Sequence, residues 1–459
     1  MISASRKNII PRCCISGRNW NNASNAGPTY LNLNNAVGNS NSNIGAHQLG
    51  KNARVGSAPC PLAKIRLASR VFHTRQNPSR QIMTIQTLQL HASPVLAFPQ
   101  LEEYLSYKLK FDITDISSYG NAVIAHGRAT RGKKSYRQVI VFDENRINNL
   151  KSLCAEFADG SYRTGEYELK TIMDTRKERE IAKTTDFRDR VAQWMIGNYL
   201  IPQLTCGFFS EHSHAAIPGK GIHTAKNETV RYVNQYPECL KVDVRKFFPS
   251  INREVLKGIC DVVFDDCYQL RDIVRHIIDD APKTGIPIGN LLSQYFANIY
   301  LTPLDRWLES IGAHFTRYMD DIVVFGNTKS ELRKILHDME WFLESRLYLH
   351  LKPNWQIFSV ASRGVDFVGY RIRRGMIILR KSTFAKLRRT VANIRKQANL
   401  RGYMTQSEVS SICSYLGWMI HCTKSVRDDL YKRYFKELIS TMDISVARGS
   451  TLGKYYPVS

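Results

Sequence analysis

Three aspartates, Asp243, Asp320 and Asp321, stand in sequence settings suited to phosphoryl-transfer chemistry. The latter two lie in Phe315-Thr-Arg-Tyr318-Met319-Asp320-Asp321-Ile-Val-Val-Phe325-Gly326, where two apolar half-strands flank adjacent carboxylates and put them at a hairpin tip. Asp243 closes another apolar strand, in Leu240-Lys-Val-Asp243-Val-Arg-Lys-Phe247-Phe248-Pro249-Ser250-Ile251. Attack of a 3′-hydroxyl on an α-phosphate uses two divalent ions roughly 3.5–4 Å apart, one activating the hydroxyl and one steadying the leaving pyrophosphate. Mg²⁺ is a hard ion that takes carboxylate oxygens, with waters and phosphates completing its shell. Adjacent strands bearing Asp243 and Asp320 would bring both carboxylates to one sheet edge, where like charges repel unless cations lie between them. An isolated Asp-Asp is ordinary turn chemistry. The Tyr-x-Asp-Asp setting between apolar strands, with a matching aspartate upstream, favours metal binding.

The elements that must hold these residues alternate between 240 and 372 as short apolar strands and helical stretches, the pattern of a mixed core of helices and sheet. Gln138-Val-Ile-Val-Phe142 reads as a strand. Residues 177–200 read as one helix with Ile181, Val191, Trp194, Met195 and Leu200 on its apolar side, stopped by Pro202. After Lys381 the chain reads as helical and basic, through Lys386, Arg388, Arg389, Arg395, Lys396 and Arg401. Such a run is either a solvated face or a set of backbone contacts to a duplex.

Composition narrows the partners. The 459 residues carry a formal net charge of +25, with 43% hydrophobic residues. That surplus favours polyanions, nucleic acid first; a membrane surface is the alternative, but the basic residues are spread along the chain. No uninterrupted apolar run approaches bilayer-crossing length, so no membrane partner is expected. The ten cysteines include no C-x-x-C pair and read as reduced thiols of a cytosolic protein. His212-Ser-His214 lacks partners at zinc-finger spacing and reads as surface or core histidine. Before Glu102 there is no acidic residue, and residues 19–43 are dense in Asn, Ser and Gly. Residues 1–82 are therefore expected to be disordered or foreign to the fold, with Met83 as an alternative start. A mitochondrial transit peptide is the lesser reading, because Asn favours turns and caps.

Tyr318-Met319-Asp320-Asp321 resembles the Tyr-x-Asp-Asp box of reverse transcriptases, and residues 243–251 resemble that family's first palm motif. The resemblance covers residues 177–390, about half the chain. It implies an α+β right hand: an N-terminal segment and fingers over 83–232, a palm with a split βαβ, ferredoxin-like sheet over 233–375, and a basic helical thumb over 376–459. It further implies RNA-directed DNA synthesis with two Mg²⁺ ions, Mn²⁺ being an alternative, held by Asp243, Val244, Asp320 and Asp321. Phe248 falls at the aromatic gate that excludes a ribose 2′-hydroxyl. Lys220, in Pro218-Gly219-Lys220-Gly221, falls where it would reach triphosphate oxygens or template backbone. Tyr318, Met319, Gly369 and Tyr370 fall at primer and template positions. Lys352 lies where the family places a general acid for pyrophosphate, a surface lysine being the alternative.

Gly285-Ile-Pro287-Ile288-Gly289-Asn290-Leu-Leu-Ser293-Gln294 gives a tight loop feeding a helix, with Ile288, Gly289 and Gln294 implied beside the nascent base pair. Intron-encoded and retroviral relatives usually have Gln-Gly at Ile288-Gly289. The Ile-Gly form resembles the reverse transcriptases of diversity-generating retroelements, which copy a template RNA with errors at adenines. Replacing a hydrogen-bonding Gln by Ile removes a polar contact that would discriminate among bases. Residues 16–27 resemble the translated variable region of a lectin-like target, which would make residues 1 to about 52 a reading of the template repeat; a low-complexity tail is the alternative. The implied partners are template RNA, a DNA primer or cDNA, dNTPs and a small basic accessory protein. The implied setting is the cytoplasm of a bacterium, or a phage genome. Group II intron, retron and phage-defence enzymes are rivals, as is a non-catalytic RNA-binding module on the same fold.

Overall fold

A computed structural model describes residue 105 and residues 109–174 and 177–440, all within one of the two units into which the chain divides, Met1–Gly38 with Ser93–Ser459. The expectations for residues 1–82 lie outside the described residues.

The N-terminal part is helical. Helices Tyr119–Ala129, Arg137–Glu144 and Arg146–Ala158 gather around a longer helix, Phe187–Gln203. The expected strand at 138–142 is a helix instead. Its β-branched run favours a strand in isolation, but Val139 and Phe142 are buried three residues apart on one helical face, with Phe142 edge-on to Phe187 at 5.3 Å.

The single helix expected over 177–200 is also corrected. Residues 177–184 form strand β2 (Lys177–Thr184), paired antiparallel with β1 (Tyr167–Asp174). The helix begins only at Phe187, where the Asp186 side chain caps it by accepting the Arg188 N–H at 2.8 Å. Pro202 sits within its last turn, and the chain leaves through a wide turn at 204–208 in which Gly207 has φ 122°. The antiparallel pairing with β1 overrides the helical spacing over these residues.

The central sheet has four strands: β3 (Glu238–Asp243), β4 (His314–Tyr318), β5 (Asp321–Gly326) and β6 (Gln356–Ser359). Their order is β4-β5-β3-β6 and every pairing is antiparallel. With helix Leu291–Ser310 between β3 and β4 and helix Lys329–Leu347 between β5 and β6, this is a split βαβ arrangement. Successive residues of a strand face opposite sides. On one side Leu240, Val242, Ile322 and Val324 join the larger core with the two long helices. On the other side Cys239, Val323 and Phe325 join a second core. That second core contains a three-stranded meander, β7 (Val365–Phe367), β8 (Tyr370–Arg373) and β9 (Met376–Leu379), and the helices Lys381–Arg401 and Gln406–Met419. Asp243 and Asp321 belong to this second face, at the end that the meander leaves open to half-burial.

Candidate active site

The hairpin tip is built by β4 and β5, which leave only Met319 and Asp320 as turn residues. Met319 is left-handed at φ 58°, an uncommon conformation for a side-chain-bearing residue that the flanking pairs impose. β3 lies on the other side of β5, with Asp243 directly opposite Asp321. Facing residues in an antiparallel pair have Cβ atoms roughly 4.5–5.5 Å apart. The backbone ties the third carboxylate in: the Val244 N–H donates to the Asp320 carbonyl at 3.2 Å. Asp243, Asp320 and Asp321 are therefore brought together from positions nearly eighty residues apart.

Their electrostatics follow from that crowding. Burial, followed by the charges of Asp243 and Asp321, pushes the Asp320 carboxyl up to about 7. Burial also raises Asp321, against the opposing pull of Lys241. Two lysines sit on the cluster. Lys352 forms an ion pair with Asp243 and also donates its backbone N–H to the Asp243 carbonyl at 2.8 Å. Lys241 stands 3.3 Å from Asp321 Oδ1, an oxygen that is buried and has no hydrogen-bond partner. Among the described residues no three His, Cys, Asp or Glu side chains converge into a ready metal cage. The donors nonetheless fit a hard divalent cation in kind: three mutually repelling carboxylates, one of them with an unpartnered buried oxygen, each relieved by positive charge. Lysine ammoniums supply that charge to Asp243 and Asp321 here.

A fully buried arginine, unmarked by the sequence reading, shapes the tip from behind. Arg317 on β4 points into the larger core and meets Asp305 of helix Leu291–Ser310 twice, Nε at 2.7 Å and Nη2 at 2.5 Å. Its Nη1 donates to Asn298 Oδ1 at 3.0 Å and to the carbonyl of Met319 at 3.1 Å. The left-handed turn residue is thus held by a side chain anchored in the long helix. A charged residue in the middle of an apolar strand was the available signal for it, since such a residue requires a buried partner. Lys241 was likewise unmarked, although its i, i+2 spacing from Asp243 places both on one face.

Phe247 is core, whereas Phe248 is half-buried with its ring edge-on to Phe247 at 5.6 Å. The Phe248 carbonyl accepts the Ile286 N–H at 3.1 Å, which docks the 285–289 loop beside it. The same loop reaches strand β2, where the Ala182 N–H donates to the Ile288 carbonyl at 3.1 Å, and Gly289 (φ 126°) lies so close that a Cβ would come within 2.8 Å of Ile181. Ile288 is half-buried there. Gln294 is buried on the following helix, its Oε1 without a partner. Tyr318 packs against the second core and Met319 against the larger one.

Lys220 is engaged within the protein: its ammonium donates to the carbonyls of Ser210, Glu211 and Ser213 at 3.3, 2.7 and 3.3 Å, closing the loop before it. Gly369 has φ 90° and backs onto Trp418, which a Cβ would approach to 2.5 Å. Tyr370 is fully buried, its hydroxyl donating to the Trp418 carbonyl at 3.1 Å, so it forms the hairpin rather than its exposed surface. His212 and His214 are not a metal half-site: both contact Glu228, at 2.7 and 2.6 Å.

One carboxylate in a two-residue turn, the next at the start of β5 and a third opposite it on β3 make an arrangement suited to phosphoryl transfer. Residues 173–372 match the family described as reverse transcriptase (RNA-dependent DNA polymerase), and a reverse transcriptase domain is present in this chain. The chain is similar to the retron Ec48 reverse transcriptase of Escherichia coli, 22% identical over 249 residues that cover 50% of this chain and 58% of that one. It is also similar to a COX1/OXI3 intron 2 protein of Saccharomyces cerevisiae, 21% identical over 232 residues covering 36% of this chain and 27% of that one. It thus spans about a quarter to somewhat over half the length of these relatives.

Proposed function

We propose that this chain is an RNA-directed DNA polymerase that extends a DNA primer on an RNA template, with the residues around 101–232 as fingers, 233–375 as palm and the basic helical region after 376 as thumb. The observation that carries the reading is the register that sets Asp243 opposite Asp321 with Asp320 in the adjoining turn. Asp243, Asp320, Asp321 and the Val244 carbonyl are the residues that would hold two Mg²⁺ ions, which when bound would activate the primer hydroxyl and stabilise the departing pyrophosphate. The chain's own contribution is placement. The Arg317 network fixes the turn, Phe248 stands at the edge of the nucleotide site, and the 285–289 loop bridges Phe248 and β2 around the incoming base. Lys352, paired with Asp243, is the residue that would give a proton to the departing pyrophosphate.

Primer extension on a defined RNA template tests the assignment. Wild type is expected to extend, and Asp320→Ala with Asp321→Ala to lose extension; equal activity in the two proteins contradicts an enzyme and favours an RNA-binding module.

Within the class, we infer the error-prone enzyme of a diversity-generating retroelement, on the Ile288-Gly289 loop. Sequencing cDNA from an adenine-containing template decides: misincorporation opposite adenine should fall in Ile288→Gln, and an unchanged low error in both proteins excludes this subtype. A retron- or intron-type enzyme is the second reading, favoured by the two relatives.

A further inference from the structure

The ammonium of Lys241 adds a polar link between strand β5 and the β7–β8 hairpin, at the edge of the second core that both share. It donates to Asp321 Oδ2 at 3.4 Å, lies 3.3 Å from Oδ1, and donates to the backbone carbonyl of Asp366, on β7, at 2.6 Å. It lies 5.9 Å from the centre of the Phe367 ring. A lysine ammonium has three protons to give, and two of them go to acceptors on different elements, Asp321 Oδ2 on β5 and the Asp366 carbonyl on the β7–β8 hairpin. The Asp366 side chain in turn pairs with Arg380, whose N–H donates to the Gly369 carbonyl at 2.9 Å and which precedes the basic helix Lys381–Arg401. A continuous polar path thus runs from Asp321 through Lys241 and Asp366 to Arg380.

The geometry is specific to this lysine. Lys241 shares a face with Asp243, and Asp321, opposite Asp243, is its diagonal neighbour across β3 and β5. Diagonal neighbours are within reach only of long side chains. Asp321 Oδ1 already lacks a hydrogen-bond donor; without Lys241, Oδ2 and the Asp366 carbonyl lose theirs as well, in a half-buried setting where an unmet polar group is costly.

We propose that Lys241 is a positioning residue that locks Asp321 and the β7–β8 hairpin into one unit, keeping the seat of the primer end in register with the carboxylates. This rests on the polymerase reading for the word primer, but the lock itself does not.

Two measurements on the full chain test it. Hydrogen exchange of the free protein reads the lock: in Lys241→Met, amides over 365–373 are expected to exchange about tenfold faster than in wild type. Steady-state primer extension reads its use: kcat is expected to fall and the primer KM to rise, each about tenfold, while Lys241→Arg, which keeps charge and reach, recovers most of both. Exchange over 365–373 and primer KM both within twofold of wild type would overturn the proposal, even if kcat fell. Should the Met variant not fold, Lys241→Gln carries the same comparison. A wild type that extends no primer removes the polymerase reading, and the exchange comparison then decides the lock alone.

Discussion

Arg317 is where the hairpin tip is most exposed to a single change. It is fully buried against Asp305, and burial raises the Asp305 carboxyl while the guanidinium opposes that rise. Replacing Arg317 by Met leaves Asp305 as a buried charge with no counter-ion, and loss of one member of such a pair costs about 3–5 kcal/mol. The Met319 carbonyl also loses its donor, so extension should fall further than stability alone explains. Urea denaturation of Arg317→Met, alone and with Asp305→Leu, checks this. The double variant is expected to recover most of the stability, because two apolar groups restore a satisfied core, without recovering activity. Recovery of both would mean that Arg317 contributes only to packing.

The elements around the site are held by polar clamps that have no local sequence pattern. Glu228, on helix Ile222–Gln235, receives His212 and His214 from the loop ahead and Thr316 Oγ1 of β4 at 3.2 Å. Burial would raise its carboxyl, but hydrogen bonds from the two histidines outweigh it and hold the group at about 2, below the ordinary 4.5. The Glu228 hydrogen bond in turn raises His212. A depressed carboxyl contributes stability that is present above its unfolded pKa and is lost as pH falls toward 2. A raised histidine contributes stability that is present below 6.5 and is lost as pH rises through its folded value. The clamp is therefore strongest between about 4.5 and 6.5. There Glu228→Gln should lower stability by on the order of 3 kcal/mol, the difference shrinking toward pH 2. A pH-independent difference in melting curves would contradict the clamp.

Gly285 offers a second test at this scale. It has φ 72°, and a Cβ would come within 2.1 Å of the Phe248 carbonyl, whereas Gly312, at φ 70°, has open space around it. Gly312→Ala should show only the left-handed backbone cost of about 1–2 kcal/mol, while Gly285→Ala should lose more stability and, by pushing Phe248, admit ribonucleotides or slow incorporation. Equal effects of the two in melting and incorporation assays would show that the Phe248 contact carries no function.

What the sequence could reveal follows from range. The hairpin tip and the end of β3 were legible because apolar residues flank the aspartates within a few positions. The strand expected at 138–142 and the helix expected over 177–184 were not, because Phe187 and strand β1 decide them from elsewhere. Arg317 and Lys241 were visible as charges in apolar strands, but their partners, Asp305 and Asp366, lie 12 and 125 residues away. Chain proximity gives no hint of the second.

At the scale of the molecule, the basic helix that packs on the second core is the surface to test for nucleic acid. Helix Lys381–Arg401 has no acidic residue, and Lys381, Arg388, Arg389 and Lys396 are exposed along it. No helix among the described residues is long and apolar enough to cross a membrane. If that helix contacts phosphates, Arg388→Glu with Arg389→Glu should weaken primer–template binding on all sequences alike. It should also reduce the slope of log affinity against log salt by about two. An unchanged slope in a filter-binding or anisotropy titration would place the duplex elsewhere.

In the proposed polymerase, Asp243, opposite Asp321 across β3 and β5, is a member of one metal-binding set that serves templated synthesis. Single-turnover dNTP incorporation on a bound RNA–DNA primer–template at saturating Mg²⁺, compared between wild type and Asp243→Asn, addresses it most directly. The rate is predicted to drop by at least about a thousandfold with primer–template affinity within a few-fold of wild type. A rate within tenfold of wild type, at equal affinity, would contradict it.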